Sequence, residues 1–170
     1  MRHPRIAFAA LTLSAAGLAG LVLEEGYTDR AVIPTKGDRP TVGFGSTFRE
    51  DGTPVQMGDT ITPPKAIART VAHIAKDESG LKLCVTGAMS QTEYDILAKF
   101  AYQYGVRATC NSSMVRSINA GRYAQACEDY TLYKRSQGRD CSLPMNWGPQ
   151  GCKGVWTRNL ERRDACRAAQ

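Results

Sequence analysis

From Ile6 to Leu23 the chain carries no charged side chain; it reads IAFAALTLSAAGLAGLVL, preceded by Arg2, His3 and Arg5 and followed at once by Glu24-Glu25. A run of that length sits at the lower limit for a helix that crosses a bilayer. Its basic flank would remain in the cytoplasm and everything after Leu23 would lie outside. About half of the run is Ala, Gly or Ser, so its hold on lipid is weak. The segment predicts an uncleaved, weakly held membrane anchor over residues 6–23. Gly17-Leu18-Ala19 offers a small-x-small site at which a cleaved signal peptide would end, and a buried helix of a soluble domain is the third possibility.

The cysteines point to the same compartment. Cys84, Cys110, Cys127, Cys141, Cys152 and Cys166 are even in number, none stands in a C-x-x-C pair, and the only histidines are His3 and His73. That pattern predicts disulfides in an oxidising compartment and no metal site; which cysteine pairs with which is not legible. The formal net charge of +6 favours an anionic partner such as bacterial wall, anionic lipid or nucleic acid. An exported chain without a recognition motif gives no reason to choose nucleic acid.

After Leu23 the periodicity changes. Glu24 to about Ile61 is rich in Gly, Pro, Thr and Asp and predicts a helix end and then a small β-hairpin region, with Pro40–Gly45 as a strand. Thr62-Pro63 starts a helix with Ile67, Val71 and Ile74 on its apolar face. Ser90-Gln91-Thr92-Glu93 is a capping box. The helix it opens has Tyr94, Leu97, Ala98, Ala101 and Tyr102 at helical spacing and stops at Gly105. Short helices are expected over about 111–120 and 122–135, a loop over 137–152 pinned by Cys141 and Cys152, and a basic helix from about Gly154 to Arg167. The fold class is α+β, mainly helical, with a small sheet near the start. The division is a 1–23 signal-anchor (or signal peptide) segment and a 24–170 domain.

On residues alone, Glu25 at a helix end and Thr41 on the following strand form a carboxyl and a hydroxyl that could face each other across a cleft. Partial burial would keep such a carboxyl protonated enough to act as a general acid on a glycosidic bond. Aromatic side chains able to stack on sugar rings include Phe44, Tyr102, Tyr104, Trp147 and Trp156, with Gln103 and Tyr104 the better cleft candidates at a helix end. Arg158, Arg162, Arg163 and Arg167 would form a basic face on the last helix.

The segment EEGYTDRAVIPTKGDRPTVGFGST resembles the catalytic stretch of phage-type lysozymes (glycoside hydrolase family 24), in which Glu-Gly ends a helix and a Thr-φ-Gly-x-Gly strand follows. QTEYDILAKFAYQYG, SINAGRYAQAC and GVWTRNLERRDAC are similar to that family's downstream helices, so the resemblance spans nearly all of residues 24–166. A weak Ala/Gly-rich membrane segment just before the Glu resembles the signal-anchor-release endolysins of the family. The resemblance implies a mainly helical lysozyme-like domain with a small β-hairpin sheet. It implies hydrolysis of the β-1,4 bond between N-acetylmuramic acid and N-acetylglucosamine of peptidoglycan, with neither cofactor nor metal.

Carried across, Glu25 is the general acid and Thr41 helps place the water; Glu24 is excluded because the family pattern has Glu directly before Gly. The family's Glu-x8-Asp-x5-Thr spacing is broken here, since Pro34 stands at the Asp position and the loop is longer. Asp38, or Asp29 if the helix continued past Glu25, could supply the carboxylate, or Thr35 and Thr41 could hold the water alone. Thr35, Phe44, Gln103 and Tyr104 are the candidate substrate contacts. A site with a single Glu also admits a lytic transglycosylase, and the missing Asp admits a non-catalytic exported wall-binding protein. The same resemblance implies a monomer that sits at the host inner membrane facing the periplasm, depends on a holin for its release into the periplasm, and lets residues 6–23 fold onto the domain when released.

Overall fold

Ser14 interrupts what the sequence presents as one continuous apolar run. In the computed structural model, which describes residues 4–34, 37–149 and 151–170, Phe8–Ala10 forms a 3-10 turn and a non-helical stretch follows. Helix α1 (Ala15–Glu25) begins only after Ser14, whose hydroxyl accepts from the Gly17 N–H at 2.9 Å. That cap satisfies an N-terminal amide and thereby fixes a helix start inside the run. At the other end Gly26, at φ 69°, receives the chain in a left-handed conformation and stops the helix. The anchor helix expected over residues 6–23 is thus two pieces here, and no described helix is long and apolar enough to cross a membrane.

The chain forms two compact units, Ser14–Asp77 on one hand and Met1–Leu13 with Glu78–Gln170 on the other. In the Ser14–Asp77 unit, strand β1 (Thr28–Val32) pairs antiparallel with β2 (Thr41–Gly43), with an irregularity between Thr28 and Val32. The expected strand over 40–45 is therefore shorter, because Phe44 and Gly45 belong to a turn. On its other edge β1 exchanges Ile61 N–H to Asp29 O (2.9 Å) and Ala31 N–H to Asp59 O (2.8 Å). Ala31, Val42, Phe44, Val55, Ile61 and Ala66 make the core of this unit, with Val22 of α1 packed against them.

Helix α2 (Pro63–Leu81) begins at the predicted proline, but its inward face differs from the expected one. Ala66, Thr70 and Ile74 are buried, whereas Ile67 and Val71 are 44% and 45% exposed. Size decides this. A Cβ placed on Gly43 would lie 3.0 Å from the Ala66 Cβ, so the helix approaches the strand closely enough that only a small residue fits between them. The row Ala66–Thr70–Ile74 then faces inward and turns the larger Ile67 and Val71 out.

The other unit holds α3 (Gln91–Tyr104), α4 (Val106–Cys110), α5 (Ser113–Asn119), α6 (Tyr123–Asp129) and α7 (Lys153–Ala168). The capping box at Ser90 and Glu93 is present in both directions, and α3 ends at Gly105, φ 83°. One core gathers Phe8, Leu11, Leu81, Met89, Tyr94, Leu97 and Val115 among others; a second gathers Ile96, Phe100, Met114, Cys127, Tyr130 and Cys166. The N-terminal arm belongs to the first of them. Ile6 exchanges backbone hydrogen bonds with Met89 at 3.0 and 2.9 Å, and the Phe8 and Tyr94 rings lie 4.8 Å apart.

The six cysteines form three disulfides, Cys84–Cys110, Cys127–Cys166 and Cys141–Cys152. Two expectations fail in this unit. The helix expected to 135 stops at Asp129 and, after a 3-10 turn, gives way to a hairpin of β3 (Arg135–Ser136) and β4 (Arg139–Asp140). Its turn residues Gln137 and Gly138 both take positive φ, the geometry a two-residue hairpin needs. The four arginines of α7 do not share one solvated face, since Arg162 is 5% exposed and donates to Asn159 Oδ1 at 2.9 Å.

Candidate active site

Glu25 is the last residue of α1, and Gly26 behind it redirects the chain into β1. Glu25 is exposed, so the partial burial expected from the sequence is absent. Its carboxyl group lies close to Gly45. A Cβ built on Gly45 would stand 3.0 Å from Glu25 Oε2, so the carboxyl group lies against bare backbone.

The strand-turn sequence makes that contact available. Val42 and Ser46 exchange backbone hydrogen bonds at 3.0 and 3.1 Å, which folds Gly43-Phe44-Gly45 into a tight reversal. Gly43 and Gly45 both take positive φ, at 69° and 74°, a conformation in which a side chain would be strained. Phe44 points the other way: it is 9% exposed within the core, with its ring 5.5 Å from that of Tyr27. It is a core residue in this structure and not an open platform for a sugar ring. Tyr27 donates its hydroxyl to Ile61 O at 2.7 Å and is 38% exposed.

Thr41 opens β2 opposite Val32. Its hydroxyl reaches Val32 O only at 3.5 Å, the outer limit of a hydrogen bond, so its stronger bonding capacity remains for another partner. Asp38 is exposed on the loop between β1 and β2, just after Gly37 at φ 92°. Thr35 lies outside the described residues. Asp29 is not one turn beyond Glu25 on a helix; it lies on β1, because Gly26 has already ended α1.

Gln103 and Tyr104 are in the other unit. Gln103 Oε1 is buried without a hydrogen-bond partner among the described residues. The Tyr104 ring stacks on Phe100 at 4.3 Å, and its hydroxyl accepts from Asn159 Nδ2 at 3.3 Å. Packing therefore fixes the Tyr104 ring, while Gln103 keeps an unused acceptor.

In the Ser14–Asp77 unit Arg49 grips Asp59 with two bonds of 2.7 Å. With the Gln56 N–H, it holds the Asp59 carboxyl down at about 2. Asp59 is thus committed as an anion and cannot serve as a proton donor. Among the described residues no cluster of three or more His, Cys, Asp or Glu could hold a metal ion. The sequence reading missed Gly45 as a determinant of the site; the signal was its place in Gly-Phe-Gly, where a second glycine so near the first implies close approach by another group.

The family model described as phage lysozyme matches residues 23–146. The chain is similar to the endolysin of Salmonella phage P22, with 29% identity over 130 residues that cover 76% of this chain and 88% of that one. Among solved structures, the endolysin of Escherichia coli phage FAHEc1 superposes with a TM-score of 0.77 at 24% identity, over 92% of this chain and 94% of that one. A mutant of P22 lysozyme superposes with a TM-score of 0.72 at 24% identity, over 92% and 99%. The likeness of the two structures is one of fold.

Proposed function

Because the chain belongs to the phage lysozyme family, we propose that it is a peptidoglycan-degrading endolysin that hydrolyses the β-1,4 bond between N-acetylmuramic acid and N-acetylglucosamine. The observation that carries the assignment of its acid is the contact between Glu25 Oε2 and the bare backbone of Gly45, at the end of the helix that enters the Thr-Val-Gly-Phe-Gly strand and turn. Protonated Glu25 donates its proton to the glycosidic oxygen as the bond to the anomeric carbon breaks. A water attacks that carbon from the opposite face and releases its proton to a carboxylate or to solvent. Glu25 is exposed in the free protein, so a glycan that covers it would exclude water from the reacting bond.

In this proposal Thr41 orients the attacking water and Asp38 is the base. An inverting arrangement needs about 6.5–9.5 Å between the two carboxyl groups, and Asp38 is an exposed carboxylate on the connection between the paired strands β1 and β2. Phage lysozymes hydrolyse, so neither the transglycosylase nor the non-catalytic binding protein is favoured.

The same proposal gives residues 1–23 a separate role, as a segment that first sits in the host inner membrane. The remaining 24–170 is the catalytic part, which faces the periplasm, is released there with the help of a holin, and acts as a monomer. What supports it is the uncharged run behind a basic start and its splitting by Ser14 into pieces that pack on the folded chain.

The test is turbidity loss of outer-membrane-permeabilised Gram-negative cells with the wild type and Glu25→Gln, followed by analysis of the sugar ends. Lysis by the wild type alone with new reducing ends is expected. Equal lysis by Glu25→Gln would remove Glu25 as the acid, and 1,6-anhydro ends would replace hydrolysis by transglycosylation.

A further inference from the structure

The loop closed by Cys141–Cys152 carries an apolar tip that its own unit leaves partly exposed. Leu143, Met145 and Trp147 are 45%, 83% and 37% exposed, on and beside the 3-10 turn Pro144–Asn146. The tip is held out. Its base is tied by the disulfide and by Asn146 Nδ2 to Asp140 O at 2.7 Å. Trp147 donates its indole N–H to Cys141 O at 2.9 Å, and Ser142 donates both its N–H and its hydroxyl to Asp140 Oδ1. Collapse onto the body of the unit, the usual fate of three apolar side chains in a flexible loop, is thereby prevented.

The surroundings are cationic. Lys134, Arg135, Arg139 and Lys153 flank the tip in the sequence, against one acid between Leu132 and Gly154, Asp140, which pairs with Lys134 at 3.0 Å. An apolar wedge with a tryptophan at its side and cations behind it has the chemistry of an interfacial membrane contact: side chains enter the acyl boundary while the cations meet lipid phosphates.

We propose that the Leu143–Trp147 tip docks on an anionic phospholipid surface and holds the folded enzyme at the membrane face independently of residues 6–23. Two other occupants fit less well. A glycan would stack on an open aromatic face, but Lys153 Nζ lies 4.8 Å from the Trp147 ring, and Leu143 and Met145 are poor sugar platforms. A second copy of the chain would need roughly 800 Å² per partner for a stable interface, far more than three side chains offer.

The test is co-sedimentation of the full chain with phosphatidylethanolamine–phosphatidylglycerol vesicles, phosphatidylcholine vesicles and purified sacculi. The wild type is compared with the Leu143→Ser/Met145→Ser double variant. Both proteins keep residues 6–23, so any contribution of that segment cancels. The double variant is expected to bind the anionic vesicles about tenfold more weakly, with unchanged Tm and an unchanged rate on soluble wall fragments. Salt should weaken the wild type's vesicle binding by screening the cations. Equal vesicle binding by the two proteins would overturn the proposal. So would a loss confined to sacculi, which would make the tip a wall contact, or wild-type binding that ignores lipid charge.

Discussion

Removing the Arg5 side chain should unlatch the N-terminal arm. Its guanidinium donates from Nε to both Glu93 oxygens at 3.2 and 3.0 Å, and from Nη2 to Glu93 Oε1 and Gln170 Oε1 at 2.7 Å each. It also lies 3.7 Å from the centre of the Tyr123 ring. The Arg5 side chain is 25% exposed and that of Glu93 only 4%. Loss of one partner of a buried pair costs about 3–5 kcal/mol because the other charge is left stranded; the partial exposure of Arg5 brings this to about 2 kcal/mol. The cation–ring contact adds about 1 kcal/mol. Arg5→Ala should therefore lose about 3 kcal/mol, a fall in Tm of about 6–12 °C for a chain of this size.

The pH dependence distinguishes this from simple loss of packing. Burial pushes the Glu93 carboxyl up, but bonds from Arg5, the Ser90 N–H and Gln170 outweigh it and leave the group below its ordinary value. A depressed carboxylate contributes stability that is present above the ordinary value near 4.5 and is lost as pH falls through the folded one. The cost of Arg5→Ala should hence be full at pH 7 and shrink toward pH 3. A thermal or urea cycle of Arg5→Ala, Glu93→Gln and the double variant should give a coupling of about 2 kcal/mol at pH 7. A loss below about 1 kcal/mol, or an equal loss at both pH values, would refute the argument.

Three further outcomes are expected. Gly45→Ala puts a methyl group against Glu25 Oε2 at a residue of positive φ; it should cost about 1 kcal/mol of stability and about a hundredfold in turnover, read by unfolding and cell-lysis rates side by side. Asp77 is 13% exposed, with its carboxyl raised by burial and only partly relieved by His73 and Lys76. A raised carboxylate destabilises the fold above its folded value and not below its ordinary one, so Asp77→Asn should raise Tm at pH 7 and leave it unchanged near pH 3. Asp38→Asn should lower turnover about a hundredfold with little change in KM if Asp38 is the base; full activity would transfer the water to Thr41 alone.

What the sequence made legible is what local chemistry decides. The Ser90–Glu93 box, the Thr62-Pro63 start and the Gly105 stop are written in a few adjacent residues, and each appears where it was expected. The misses have non-local causes. Ile67 and Val71 looked like a core face by spacing, but the inward row of α2 is set by how closely Gly43 lets Ala66 approach, a fact of another segment. Phe44 looked like a sugar platform because an aromatic in a glycine-rich strand gives no sign of which way the turn will aim it. Glu25 is singled out in the sequence by its Gly26 neighbour and the strand that follows. Gly45, which leaves room for its carboxyl, can be recognised only when the two meet in space.

The proposed membrane role of the N-terminal segment asks one stretch to suit two environments. The folded chain buries Phe8, Leu11, Gly17 and Leu21 of the run, while Ile6 and Leu23 stay 47% and 83% exposed beside exposed Ala7, Ala9, Ala10, Ala15, Ala16 and Ala19. A segment shaped only by the folded core would place polar residues at those outward positions, as amphipathic elements do. Their apolar character is surplus to the fold, and it is what residence in a bilayer would require. Alanine reconciles the two demands, since it adds little to an exposed apolar patch in water and little cost in lipid. The proposed anchored state also separates Arg5 from Glu93, because a basic flank retained in the cytoplasm cannot reach a carboxylate on the periplasmic side. Glu93 then stays buried without its cation until the segment is released. Proteolysis of the membrane-bound form should accordingly cut near Met89–Glu93 before the released form is touched; equal resistance in the two forms would mean that the arm does not complete this unit.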